Sequence, residues 1–183
     1  RDGAGSDYDS VFAVILGTGV GAGFSLNKKI IVGPNKLTGE WGQNPIPGPM
    51  DDYEKNVKRH CGRIGAIEVF LSGPGLENYY RYKTNSKKTS KEIVTLFNEN
   101  NFNALEVMDM YFERIARSFS TFVNILDPDI IVCGGGMSEI DNIYDEIPKR
   151  IIPYIASNFF LTPIVKAKHG SSSGVRGAAH LWN

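Results

Sequence analysis

Residues 11–23 read VFAVILGTGVGAG and combine an apolar run with a glycine-rich turn. The apolar run, residues 11–16, contains β-branched side chains and predicts a buried strand. Four glycines follow within the next seven residues. Glycines let backbone N–H groups point into one concavity, which suits a phosphate, and the Thr18 hydroxyl adds a donor. A tight hairpin without a ligand is an equally good interpretation of this segment alone.

A second glycine turn occurs late in the chain. Residues 130–133 predict another buried strand, and Gly134, Gly135 and Gly136 follow it directly. Ligands of α/β sheets commonly bind at the carboxyl ends of strands, and consecutive glycines leave room there for a flat ligand. The alternative is a helix-entry turn with no ligand. Two such turns together favour a nucleotide that uses both.

The remaining pattern predicts a layered α/β domain. Residues 24–26 and 30–32 flank a short polar turn, which predicts an antiparallel meander after the first strand and hence a mixed sheet. The apolar residues of 103–126 recur at three- and four-residue steps, which predicts a long amphipathic helix. Residues 72–75 are expected to break the chain between two helices. The other predicted elements are helices at residues 65–71, 76–82, 90–97, 140–155 and 175–182, and a strand at residues 163–168.

The composition indicates a soluble domain of a reducing compartment. Of the 183 residues 42% are hydrophobic, and 20 basic and 20 acidic side chains leave no net charge. Nucleic acid and anionic membranes usually attract a basic excess, so neither partner is expected, and no apolar run approaches the roughly 20 residues of a membrane helix. Two cysteines do not make a disulfide framework. We therefore predict a cytoplasmic protein, and expect a piece of a longer one because the first residue is Arg1.

Polar groups suited to a sugar stand in and after a proline-rich loop predicted over residues 33–52. Glu40 and Gln43 lie three residues apart in this loop, and Glu68 follows it. Carboxylates and amides are the groups that hydrogen-bond to sugar hydroxyls. On pattern alone, a solvated loop anchored by Trp41 is the better interpretation.

Five stretches of the chain carry a resemblance to a known family. They are VFAVILGTGVGAG from Val11, GEWGQNPIP from Gly39, CGRIGAIEVFLSGPG from Cys61, VNILDPDIIVCGGGMS from Val123 and KAKHGSSSGVRGAAHLW from Lys166. Together they resemble the carboxyl-terminal domain of ROK-family sugar kinases (repressors, open reading frames and kinases), and most of all bacterial fructokinases of the manno/fructokinase type. The stretches follow the family's order and span nearly the whole chain, which makes the resemblance more specific than any single glycine turn.

The resemblance implies an actin-like ATPase (ribonuclease H-like) fold, with a mixed sheet flanked by helices in each of two α/β domains. ATP and the sugar would lie in the cleft between the domains. The site residues that the resemblance implies are Gly17, Thr18 and Gly19 on the ATP phosphates, Gly134, Gly135 and Gly136 against the adenosine, and Glu40, Gln43 and Glu68 on the sugar hydroxyls.

The chain departs from the family at its metal site. The family usually has a histidine followed by a Cys-x-Cys-Gly-x-x-Gly-Cys motif, and four of these side chains bind zinc. The corresponding positions here hold Gln43, Arg59, Cys61 and Ala66. A structural zinc site needs about four Cys or His ligands, so we expect no structural zinc and read the neighbouring His60 as an ordinary surface histidine.

The second departure concerns the catalytic residues. The family's Asp-x-Gly-Gly-Thr phosphate loop and its catalytic aspartate belong to an amino-terminal domain, and neither stands in residues 1–183. We expect this chain to be the carboxyl-terminal domain alone, with the catalytic base in the other domain.

The enzyme that the resemblance implies is an ATP- and Mg²⁺-dependent hexose kinase, most similar to a fructokinase, that phosphorylates the sugar 6-hydroxyl. A homodimer would fit the family. The alternative is a sugar-sensing ROK transcriptional repressor, against which the two phosphate-facing glycine turns argue.

Overall fold

The computed structural model describes residues 2–170 and Ser173, so the predicted helix at residues 175–182 lies outside the described part. The strands are β1 (Ser10–Leu16), β2 (Val20–Leu26), β3 (Lys29–Ile30), β4 (Ile130–Gly134) and β5 (Ile164–Lys166). The α-helices are α1 (Glu68–Leu71), α2 (Gly73–Thr84), α3 (Ser90–Asn98), α4 (Phe102–Leu126) and α5 (Asn142–Arg150). Short 3-10 helices cover Glu40–Gln43, Gly136–Glu139 and Ile152–Tyr154. Among the described residues, no helix combines the length and the apolar character needed to cross a bilayer.

The strands form one mixed sheet in the order β3-β2-β1-β4-β5. β1, β2 and β3 make the predicted antiparallel meander, whereas β1 pairs in parallel with β4, and β4 with β5. Ile15 near the end of β1 stands opposite Gly134 at the end of β4. The glycine turns that follow these two strands therefore leave the sheet at the same edge.

The core lies between one face of the sheet and the long helix α4. Alternate residues of β1, from Ser10 to Leu16, are buried. The ring of Phe12 stacks on that of Phe122 of α4 with centroids 3.9 Å apart. Helix α4 also contacts each of the other α-helices, α1, α2, α3 and α5. This layering of helices on a mixed sheet is the architecture that the sequence predicts.

Several element boundaries differ from the sequence-based expectation. Helix α1 begins at Glu68 instead of residue 65, the helix predicted at residues 140–155 divides into α5 and a 3-10 helix, and β5 is shorter than the predicted 163–168. Helix α2 begins at Gly73, because the Ser72 hydroxyl accepts the Gly75 N–H at 3.2 Å and Pro74 is favoured in a first turn. Residues 72–75 therefore separate two helices, as expected, but also start the second one. The third strand is limited to Lys29–Ile30, which is shorter than the apolar run at residues 30–32.

The proline-rich loop is anchored on α4 through Trp41. This side chain is buried and meets Phe119 and Phe122 edge-on, at centroid distances of 5.9 and 5.4 Å. The loop also contains the 3-10 helix Glu40–Gln43, where the sequence predicts an irregular loop. Trp41 is thus the anchor that the sequence suggests.

At the end of the loop and just after it, a group of charged residues that we call the Glu54 cluster (Asp51, Glu54, Arg114 and Arg117) fastens the chain to α4. The Glu54 carboxylate is fully buried and receives Arg114 Nε at 2.8 Å and, in a short contact, Arg117 Nη2. Arg114 also reaches Asp51 at 3.1 Å. Burial of these charges is tolerated because each is paired.

Candidate functional site

A cleft of about 720 Å³ opens at the edge of the sheet where β1 and β4 end. Its lining brings together residues that are distant in sequence: one part from the first glycine turn, one from α2 and α3, and one from the turn after β4. The lining residues are Gly17, Thr18, Gly73, Pro74, Glu77, Ser90, Lys91, Val94, Thr95, Gly136, Met137, Glu139 and Ile140. Its volume lies within the range of small-molecule sites.

The start of α2 joins the walls of this cleft. The Gly73 N–H donates to the carbonyl of Gly17 at 2.8 Å. A methyl group placed on Gly73 would stand 3.5 Å from both Met137 Sδ and Ser90 Oγ. Gly73 is therefore the point at which the first glycine turn, the turn after β4 and the start of α3 approach one another.

Three of the six glycine-turn residues predicted at the nucleotide site line the cleft: Gly17, Thr18 and Gly136. The other three, Gly19, Gly134 and Gly135, are not among its lining residues. A Cβ on Gly19 would stand 2.9 Å from Glu68 Oε2. Gly135 has φ of 86°, and a Cβ there would come within 2.4 Å of the Leu16 carbonyl oxygen. Gly19 and Gly135 therefore shape the turns, whereas Gly136 faces open space.

The structure adds polar side chains to the cleft that the sequence did not single out. Glu77 accepts the Ser90 N–H at 2.8 Å, which fixes the start of α3 against α2. Lys91 and Thr95 continue the same wall along α3. Glu139, in the 3-10 helix after β4, also lines the cleft and is paired with Lys166 at 2.9 Å. Spacing alone gave no signal for these residues, because their meeting depends on how α2 and α3 pack together.

The Glu68 carboxylate lies at the first residue of β2. Its Oε2 accepts the Val20 N–H at 3.2 Å, and its Oε1 accepts Arg59 Nε at 3.0 Å. Both side chains of this ion pair are largely buried, with exposed fractions of 17% for Arg59 and 23% for Glu68. Glu68 thus stands directly beside the first glycine turn.

The segment that carries Glu40 and Gln43 runs along the same strand. The Gly39 carbonyl accepts the Ala22 N–H at 2.8 Å, and a Cβ on Gly42 would meet the Val20 carbonyl oxygen at 2.3 Å. The Glu40 side chain is exposed, and Gln43 is half-buried. The backbone therefore brings the segments of all three predicted sugar-binding residues to the start of β2.

The residues at the family's zinc positions do not fit a zinc ion. Arg59 keeps its proton and points to Glu68, and Ala66 is buried and has no ligating atom. Cys61 is exposed and lies 3.8 Å from the Arg59 guanidinium, so a cation already stands beside it. Within residues 2–170, no three His, Cys, Asp or Glu side chains are grouped so as to hold a metal.

The two thiols differ in character. The pKa of Cys61 is lowered, chiefly because its sulfur accepts the Arg63 backbone N–H and also by the nearby Arg59 guanidinium. Burial raises the pKa of Cys133 in β4 to about 12. Cys61 is therefore the reactive thiol and Cys133 an inert one.

The fold and the cleft define an α/β domain with a cleft at the carboxyl ends of two parallel strands. The chain belongs to the ROK family, whose family model matches residues 1–183. The N-acetyl-D-glucosamine kinase of Vibrio atlanticus (strain LGP32) is 38% identical over 179 residues, and that of Haemophilus influenzae (strain 86-028NP) is 36% identical over 180 residues. Each alignment covers 96% of this chain and 59% of the relative, so the chain spans about three-fifths of the length of these proteins.

Solved structures support the expected fold. A ROK family glucokinase from Streptomyces griseus, in complex with glucose and AMPPNP, superposes with a TM-score of 0.84 at 22% identity. The match covers 97% of this chain and 62% of the glucokinase. The actin-like ATPase fold predicted from the resemblance is therefore confirmed. The resemblance to fructokinases is not confirmed, because these relatives are named for N-acetyl-D-glucosamine.

Proposed function

We propose that this chain is one domain of an ATP-dependent hexose kinase and supplies its nucleotide platform and part of its sugar pocket. The observation that carries the proposal is the convergence of two glycine turns, more than a hundred residues apart, on one cleft. The kinases named among the relatives support a phosphotransferase over a sugar-sensing repressor.

The cleft offers what a nucleotide needs at each end. Thr18 and the backbone of the first glycine turn present hydrogen-bond groups to the phosphates, whose charge Mg²⁺ would neutralise. Gly136 leaves bare backbone for the adenosine, and Val94, Met137 and Ile140 add apolar surface beside it.

The sugar would bind around the start of β2, next to the phosphate end of the cleft. Hydrogen bonds from Val20 and Arg59 hold the Glu68 carboxylate there. The segment that contains Glu40 and Gln43 lies along the same strand. The 6-hydroxyl would then attack the γ-phosphate in line, with its proton taken by a base in the other domain. Positioning and electrostatics would provide most of the rate, as in other phosphoryl transfers.

We propose N-acetyl-D-glucosamine as the sugar, because two relatives that each match 96% of the chain carry that name. The test is a coupled ADP-release assay on the full-length protein with N-acetyl-D-glucosamine, glucose, mannose and fructose. We expect the highest kcat/KM with N-acetyl-D-glucosamine. A clear preference for fructose would instead restore the sequence-based prediction, and ATP turnover independent of every sugar would contradict the kinase assignment.

A further inference from the structure

The connection between the two groups of proposed sugar-binding residues contains little regular structure. Residues 44–67 run from Gln43 to Glu68, and their regular pairing consists of isolated bridges, Pro45 with Ala66 and Lys58 with Ile64. A connection of this length needs other contacts if its ends are to hold a ligand in a fixed geometry.

Arginine side chains provide those contacts. Arg117 of α4 donates to the carbonyl oxygens of Pro47 and Pro49 at 3.0 and 2.9 Å. The Glu54 cluster fixes the middle of the connection to the same helix. At its end, Arg59 closes the ion pair with Glu68.

Arg59 is itself held in place by a tight turn. Its N–H donates to the Arg63 carbonyl at 2.8 Å, and its own carbonyl accepts the Gly62 N–H at 2.8 Å. The turn aims the guanidinium at Glu68 and leaves its Nη1 3.8 Å from Cys61 Sγ.

We propose that Arg59 is a positioning residue of the sugar site. Its ion pair with Glu68 makes a structural metal ion unnecessary at this point of the fold. The proposal rests on the proposed sugar-binding role of Glu68. Because Arg59 and Val20 each occupy one carboxylate oxygen, the orientation of the carboxylate is fixed. An ionised carboxylate has about four acceptor positions, so lone pairs remain for sugar hydroxyls. A carboxylate of fixed orientation binds a sugar hydroxyl more tightly, because less side-chain conformational entropy is lost on binding.

The first test compares steady-state kinetics of the full-length Arg59→Ala, Arg59→Lys and Arg63→Ala variants. Arg63→Ala is the matched control, because it removes an equal charge from an exposed position of the same turn. We expect Arg59→Ala to raise the sugar KM about tenfold and Arg59→Lys to recover part of the loss. The ATP KM of each variant, and the sugar KM of Arg63→Ala, should stay within about twofold of the parent values.

A double-mutant cycle separates positioning from a general effect on folding. In a Glu68→Gln background, Arg59→Ala should change the sugar KM by less than about twofold, because the charged partner is already absent. An equal effect in both backgrounds would overturn the proposal, as would sugar KM values for Arg59→Ala and Arg63→Ala that do not differ.

A second readout does not depend on activity. Loss of Arg59 should free the Glu68 carboxylate and speed hydrogen exchange of the Val20 amide, while Arg63→Ala leaves it unchanged. If the parent enzyme phosphorylated no sugar, the proposed function would fail, whereas Val20 exchange would still decide the role of Arg59. Unchanged hydrogen exchange of the Val20 amide in Arg59→Ala would contradict the proposal. So would about one zinc ion per purified chain, if removal of the zinc by a chelator speeds exchange of that amide.

Discussion

Removal of the Glu54 carboxylate should strongly destabilise the protein. The side chain is fully buried, and its Oε1 serves both Arg114 and Arg117. After Glu54→Ala, Arg114 keeps Asp51 and Arg117 keeps the carbonyls of Pro47 and Pro49, but both guanidinium groups remain buried without their shared counter-charge. Breaking a buried pair by removal of one partner costs about 3–5 kcal/mol. For a domain of this size that corresponds to a fall in Tm of roughly 6–20 °C.

Thermal and urea unfolding of the full-length protein measure this loss. Asp52→Ala is the matched control, because Asp52 is 92% exposed and its pair with Lys55 lies on the surface. The control should change stability by less than about 1 kcal/mol. If Glu54→Ala were as mild as Asp52→Ala, the Glu54 cluster would not hold the connection to α4, and the explanation given for that segment would be wrong.

Three further predictions follow from single contacts. Iodoacetamide at neutral pH should modify Cys61 and leave Cys133 intact until the protein is denatured; equal labelling of both by mass spectrometry would contradict the burial of Cys133. Ser10 donates its hydroxyl and its N–H to Asp129 and so lowers the pKa of that carboxyl. The resulting stabilisation of the folded state is present above the unfolded pKa of about 3.9 and disappears as the pH falls through the lower folded pKa. Asp129→Asn should therefore reduce the loss of stability at acid pH. An unchanged loss of stability at acid pH in this variant would contradict the role given to Asp129. Gly135→Ala should lower Tm because it strains a positive φ against the Leu16 carbonyl, and an unchanged Tm would refute that account.

The sequence predicts the strands and helices well where local pattern and packing agree. The apolar run of β1 and the three- and four-residue steps of α4 arise because these two elements bury their apolar faces against each other. The sequence pattern therefore already reflects the tertiary contact. The start of α2 differs from the predicted one because serine, glycine and proline mark both a chain break and a helix start. The Ser72 cap that decides between these outcomes is visible only in the fold.

The candidate site was only partly accessible from sequence. The glycine turns could be recognised because strand-glycine patterns are local, and the parallel pairing of β1 with β4 then brings them together. The contributions of Glu77 and Lys91 depend on the packing of α2 against α3, for which the sequence has no short-range signature. Likewise, Arg59 could be recognised as a departure from a metal motif, but its partner Glu68 could not be read from spacing.

The central claim is that the cleft between the glycine turns binds the nucleotide, and titration calorimetry of the full-length protein with Mg²⁺ and AMPPNP tests it most directly. Gly136→Val is the decisive variant, because a Cβ at Gly136 meets no atom within 4 Å and its side chain would project into open space at the cleft. The variant should keep the Tm of the parent but bind AMPPNP about 5- to 150-fold more weakly, as expected for roughly 1–3 kcal/mol of steric overpacking. An unchanged Kd in a normally folded Gly136→Val protein would contradict the assignment of the cleft.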